Sequence, residues 1–300
     1  MGTGDPRCGT AGVTTSKAPP SGSLFVPDAV LGNYERPNLL AAICDALAAS
    51  GLTPQTVTSD DLAAIDQFHI GGRAATKGLI DQLRLGRDDY VIDLGSGLGG
   101  TARLVASEFG CRVVGVDLTE DYVAAGTEIC RWQGLDGQVA LHCGSIMSLP
   151  FPDKTFSAAC MLHVGMNIPD KIRLFQEVAR VLKPGARFGL YDVMTDRPGE
   201  LAFPLPWTKG PEGNAIARVA AYREALEQSG FAIVAQCDRQ SFALDYFAAQ
   251  QSAAARRSNL GLQLLMGERR QDQVRNMIAA VKAGLLAPVE LVAVRCDFRA

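Results

Sequence analysis

From Asp88 onward, apolar residues fall into short runs separated by glycine turns and stretches of helical spacing. DYVIDL, CRVVGVDL, GQVALHC, TFSAACMLHV, RFGLYDVM and FAIVAQCD each read as a strand. Between them, TARLVASEF, EDYVAAGTEICRWQG, IPDKIRLFQEVARVL and AIARVAAYREALEQSG repeat apolar residues at three- and four-residue spacing, as amphipathic helices do. Lys183-Pro184-Gly185 breaks the third of these helices ahead of the fifth strand. VELVAVRCDF supplies a seventh strand, after a largely helical stretch over 241–285. Strand and helix in alternation predict an α/β fold with a mostly parallel sheet covered on both faces.

The segment before Asp88 has a different pattern. Residues 36–50, 60–66 and 73–85 predict three short helices, the first closed by Gly51 and the last near Gly86. Residues 1–25, rich in Gly, Thr, Ser and Pro, predict a disordered tail without the apolar core of a signal peptide. The expected organisation is tail 1–25, N-terminal helical cap 26–86, and a main domain 87–298 with a helical lid at about 241–286.

Composition narrows the function. A net charge of -3 gives no basic field for a phosphate backbone, so nucleic acid is not an expected partner. No apolar run is long enough to span a membrane. The eight cysteines form no C-x-x-C pair and no zinc-like spacing. They predict reduced thiols packed in a cytoplasmic protein, with no metal site. A homo-oligomer stays open.

The chemistry concentrates in VIDLGSGLGG, Val91 to Gly100. A strand ends in Asp93, and glycines let the following turn approach a ligand closely at the carboxyl end of the sheet. Asp117 ends the next strand, where a carboxylate can accept both hydroxyls of a ribose. A dinucleotide would use the same glycines and the same acid, so an NAD-dependent oxidoreductase is one reading. Asp93, two residues before the first glycine, favours a ligand with a cationic amino group instead. GSIMSLPFPDKTF, Gly144 to Phe156, adds a loop able to lie along an adenine ring.

With D-x-G-x-G-x-G, the acid after strand two, LPF-x-D-x-x-F and RVLKPG, the chain resembles the class I S-adenosylmethionine-dependent methyltransferases. The resemblance implies a Rossmann-like seven-stranded sheet whose last strand is antiparallel, with S-adenosyl-L-methionine as cofactor. It implies that Gly95, Ser96 and Gly97 line the methionine part, that Asp117 and Leu118 hold ribose and adenine, and that Ser145 and Ile146 edge the adenine. Many relatives carry an acid where this chain has Ser145. Leu162 and His163, closing strand four, join the expected cofactor set.

DQFHIGG, HVGMNIPDK, LPW and GLQLLMG further resemble the sarcosine/dimethylglycine N-methyltransferase-like bacterial subgroup, over roughly residues 30–298. That implies a small-molecule acceptor methylated on N, O or C, an amine or a prenyl-bearing substrate among them. It also places Gln67 and His69 at the methionine end of the cofactor. His163 and His69 are the candidates for catalysis, and Tyr34, Trp207 and Tyr191 the candidates for acceptor contact. A non-catalytic cofactor-binding protein is the remaining alternative.

Overall fold

The computed structural model describes residues 32–253, 259–267 and 269–297. The expected tail over 1–25 lies outside them. Seven strands form one sheet: β1 (Tyr90–Leu94), β2 (Arg112–Asp117), β3 (Val139–Cys143), β4 (Phe156–Leu162), β5 (Leu182–Met194), β6 (Phe231–Asp238) and β7 (Ala287–Arg295). Their order across the sheet is β3-β2-β1-β4-β5-β7-β6. The first five run parallel. β7 lies antiparallel to both β5 and β6. The fold is the α/β, Rossmann-like seven-stranded arrangement expected.

This order has a consequence for ligand binding. After β1 the chain moves outward to β2 and β3, then returns to place β4 on the other side of β1. The loops leaving β1 and β4 therefore diverge and open a crevice at the carboxyl end of the sheet. The glycine turn follows β1, and His163 follows β4.

At the edges β3 and β6 are largely exposed, while both sheet faces are covered over the central strands. One packs Ile92, Leu94, Met161 and Phe188 against helices Lys171–Val181 and Val219–Gln228. The other packs Val91, Val113 and Cys160 against helices Gly72–Asp81 and Gly100–Phe109. Successive strand residues point to opposite faces, so continuous apolar runs are what a doubly covered sheet needs.

The N-terminal helices Leu39–Ala49 and Ser59–Asp66 pack on helix Glu120–Trp132 through Ile43, Leu47, Leu62 and Ile129. A capping box starts the second of them. Thr58 Oγ1 accepts from the Asp61 amide at 3.2 Å, and Asp61 Oδ2 accepts from the Thr58 amide at 2.9 Å. That helix delivers the chain into Asp66–Gly72.

The third helix stops at Asp81, four residues before the expected end, and Arg84 then takes a left-handed backbone (φ 56°). β5 begins at Leu182, so the Lys-Pro-Gly segment is already part of the strand. Between β6 and β7, helices Gln240–Ala253, Gln263–Met266 and Arg270–Lys282 lie over the sheet's carboxyl end. The first and third pack with Ile70, Met166, Val193 and Trp207, and Gln263–Met266 packs through Leu265 on the N-terminal helices. Among the described residues no helix is long and apolar enough to cross a membrane.

Candidate functional site

The crevice at the switch point opens into a cleft of about 1100 Å³, its mouth included. Its floor is the β1 turn. The Gly95 and Ser96 amides donate to Val116 O at 2.8 and 3.1 Å, which staples the turn to the end of β2. The Gly97 amide donates to Asp117 Oδ2 at 2.8 Å, and the Thr119 amide to Asp117 Oδ1 at 2.9 Å. Asp117 is thus oriented by backbone amides, with lone pairs left for a ligand.

Two glycines are required here for different reasons. Gly95 has φ 73°, and a Cβ on it would sit 2.3 Å from Val164 Cγ2. Gly97 has φ 53°, and a Cβ there would meet nothing within 4 Å. That open space is the cleft, so a side chain at 97 would occupy ligand volume.

Asp93 lies deeper. Its Oδ1 is 3.6 Å from Cys160 Sγ, and its Oδ2 is buried without a partner among the described residues. Burial pushes its carboxyl up to about 7, with the Asp117 charge adding to the rise. Burial also raises Asp117, while the Thr119 and Gly97 amides hold it down. Ser96 Oγ, Tyr122 Oη and His163 Nε2 are likewise buried and unpartnered. All four residues line the cleft. Buried polar atoms are rarely left without partners, so this cluster of orphans points to a polar ligand.

The opposite wall comes from distant segments. His163 follows β4 with φ 55°, a costly backbone for a residue with a Cβ, held by its amide donating to Tyr191 O at 2.7 Å. His69 approaches from the N-terminal side, with ring centroids 5.8 Å from His163 and 6.3 Å from Tyr191. Burial pulls the His69 imidazolium down to about 4. Burial and the neighbouring His69 pull His163 well below its ordinary value. Both rings are therefore neutral at pH 7. Tyr34 closes the top, with Asn167 Nδ2 donating to its hydroxyl at 3.3 Å.

The turn carrying Asn167 is pinned from behind. Lys171 Nζ donates to the carbonyls of Gly165 and Ala215, both at 2.9 Å. Tyr222 Oη donates to Asp192 Oδ2 at 2.8 Å. A Cβ on Gly165 would lie 2.4 Å from that same carboxylate oxygen. Burial raises Asp192 to about 6 and lowers Lys171 to about 8.

The cleft gathers most of the residues singled out from the sequence. Tyr34, His69, Asp93, Gly95, Ser96, Gly97, Asp117, Leu118, Ser145, Ile146, Leu162 and His163 all line it. Three do not. Gln67 is buried behind the wall, where its Oε1 accepts from Thr76 Oγ1 at 2.5 Å. Tyr191 is fully buried beneath the two histidines, because its strand position turns the ring under them. Trp207 packs with Ile70, Met166 and Phe247, and its Nε1 donates to Asn214 Oδ1 at 3.1 Å.

Sequence reasoning gave no site role to Asp66, Tyr122, Val164 or Asn167; all four line the cleft. Tyr122 sits five residues past Asp117 on the helix after β2, which is the one legible sign. The others are brought in by tertiary packing alone.

Residues 91–185 match the protein family described as a methyltransferase domain. The sterol 24-C-methyltransferase of Eremothecium gossypii is 35% identical over 159 residues, covering 50% of this chain and 42% of that protein. The chain thus spans less than half of that relative's length. Among solved structures, geranyl diphosphate C-methyltransferase from Streptomyces coelicolor A3(2) superposes with a TM-score of 0.66 at 20% identity. That match covers 92% of this chain and 100% of the other. A Galdieria sulphuraria chain described as a sarcosine dimethylglycine methyltransferase has a TM-score of 0.62 at 20% identity, covering 75% and 85%. The fold is shared with both solved structures.

Proposed function

With a core that belongs to the methyltransferase-domain family and a fold of the class I S-adenosylmethionine-dependent type, we propose that this chain moves a methyl group from S-adenosyl-L-methionine to N, O or C of a small molecule. The observation that carries this reading is the cluster of orphaned buried atoms around one cleft: Asp93 Oδ2, Ser96 Oγ, Tyr122 Oη and His163 Nε2.

The residues present fit the cofactor. Asp93 offers an unpartnered buried carboxyl oxygen to a cationic amino group, which would restore its charged form. Asp117, fixed by two amides, would take the ribose hydroxyls. Leu118 and Ile146 give the adenine an apolar bed. Ser145 Oγ already accepts from the Met147 amide at 3.2 Å and keeps its own proton to donate. When bound, S-adenosylmethionine supplies a sulfonium methyl whose carbon–sulfur bond pair stays on sulfur as the acceptor attacks in line.

The chain's part is alignment and exclusion of water. His69 and His163 stand as neutral imidazoles, which present hydrogen-bonding nitrogens without repelling a sulfonium cation. Tyr34 and Asn167 close the acceptor end. The reading includes a cytoplasmic, biosynthetic setting, which the free state of the seven described cysteines supports. Titration calorimetry with S-adenosylhomocysteine should show binding, and a panel of amines, phenols and prenyl diphosphates should yield a methylated product by mass spectrometry. Affinity for NAD in place of S-adenosylhomocysteine would overturn the reading.

A further inference from the structure

Behind His69 runs a line of buried polar groups: Arg103, Asp66, Gln67 and Thr76. Arg103 Nη2 lies 2.5 Å from Asp66 Oδ2, with both side chains nearly inaccessible at 4% and 6%. Asp66 also takes a hydrogen bond from the Gln67 side chain. An amide donates only through its nitrogen, so Gln67 Nε2 faces the carboxylate and Oε1 faces away. The Thr76 hydroxyl gives its one proton to that Oε1 at 2.5 Å. Only lone pairs then remain on Thr76 Oγ1, and His69 Nε2 lies 2.9 Å from it. The Gly72 carbonyl, which can only accept, lies 3.2 Å from the same nitrogen. Two acceptors facing Nε2 require Nε2 to carry the proton. In a neutral ring Nδ1 is then bare, without a hydrogen-bond partner among the described residues, on a residue that lines the cleft.

We propose that Arg103, Asp66, Gln67 and Thr76 form a positioning relay that locks His69 as its Nε2–H tautomer, so that bare Nδ1 receives the O–H or N–H of the methyl acceptor. This rests on the methyltransferase reading and names its substrate class: a proton-bearing oxygen or nitrogen, not an alkene carbon. In the transfer, the acceptor's lone pair forms the bond to the methyl carbon, and the carbon–sulfur bond breaks with its pair left on sulfur. For a hydroxyl acceptor the O–H proton passes to Nδ1, giving an imidazolium whose Nε2–H still rests on Thr76 and Gly72. So weakly basic a ring does not strip a free hydroxyl. It accepts the proton as bond formation makes the oxygen strongly acidic. A neutral amine uses the same Nδ1 for orientation and keeps its remaining protons.

The test is nitrogen-15 NMR of histidine-labelled protein, which reads the tautomer directly and is simplified by there being three histidines in the chain. The wild type should show His69 protonated at Nε2 and bare at Nδ1. Thr76→Val should mix the tautomers, and Thr76→Ser should restore the wild-type signal. With an acceptor in hand, Thr76→Val should lower kcat about 10- to 100-fold with S-adenosylhomocysteine affinity kept, and Thr76→Ser should recover it. A wild-type His69 bare at Nε2, or a Thr76→Val tautomer identical to wild type, overturns the relay. The NMR experiment needs no turnover, so a protein that fails to bind S-adenosylhomocysteine sinks the methyltransferase reading without touching the tautomer result.

Discussion

The cleft has two walls of different construction. One is formed by residues 93–122 with 145–147, in strand ends and the turns and helix starts that follow them. Its groups are oriented by amides of the same stretch, as Asp117 is by Gly97 and Thr119. The facing wall draws Tyr34, the segment around His69, residues 162–168 and Leu265 from four separate parts of the chain. Two of its groups are oriented by long-range contacts, Tyr34 by Asn167 and His163 by Tyr191, and His69 is held by Thr76 within its own segment. The first construction suits a ligand that does not change. The second can be altered one segment at a time without disturbing the sheet, as an acceptor site must be if related folds are to serve different acceptors.

The sharpest way to break this comparison is Asp117→Ala. It removes a carboxylate expected to take two ribose hydroxyls, each charge-assisted bond being worth about 1.5–3 kcal/mol. Affinity for S-adenosylhomocysteine should fall by about 100-fold or more by calorimetry. Tyr34→Phe, on the other wall, should leave that affinity within about threefold and act on acceptor KM. If the two variants weaken cofactor binding equally, the walls do not divide the labour.

Next in size is Gly95→Ala, where the turn after β1 meets Val164 of the facing wall. Its Cβ would press on Val164 Cγ2 at 2.3 Å, from a left-handed backbone position. Overpacking of this kind costs about 1–3 kcal/mol, read as a shift in denaturant midpoint. Val164→Ala in the same chain should return part of the loss. No recovery would mean that the strain lies in the backbone of Gly95 alone.

The difference between the walls also explains what could be read from the sequence. Glycine turns and strand-end acids are local signals, so Asp93, Gly95, Gly97 and Asp117 were legible from spacing alone. The strand and helix alternation was legible for the same reason, since apolar periodicity reports burial within a few residues. Tyr191 and Trp207 were not. Each is an aromatic beside an expected ligand, and whether its ring faces the cleft or the core depends on what packs behind it. Gln67 lies behind His69, one layer from where DQFHIGG alone would place it. Asn167 needed the short turn Gly165–Asn167, held by Lys171 just after it and by Asp192 from β5.

A pH series sharpens the account of the cofactor wall. Buried Asp93 titrates at about 7 in the free protein, and a bound ammonium would depress that value. Binding then favours the carboxylate and releases a proton. Affinity for S-adenosylhomocysteine should rise with pH up to about 7 and level off above it. Below 7 it should fall by at most about tenfold per pH unit, until the bound form also protonates. Calorimetry in buffers of different ionisation enthalpy checks the proton count. Asp93→Asn should flatten the profile; a flat wild-type profile would exclude Asp93 as the amino-group partner.

The smallest effect is expected at Trp207, which separates a wall residue from a packing residue. Its ring is fully buried among Ile70, Met166 and Phe247, and its Nε1 is spent on Asn214 Oδ1. Trp207→Phe keeps an aromatic in place but loses that hydrogen bond and some volume. The cost should be about 1–2 kcal/mol of stability, seen as a drop in Tm. Acceptor KM should stay within about twofold, because neither the ring nor its partner reaches the cleft. A large rise in acceptor KM with no loss of Tm would return Trp207 to the acceptor wall and extend that wall to the segment around Leu205–Thr208.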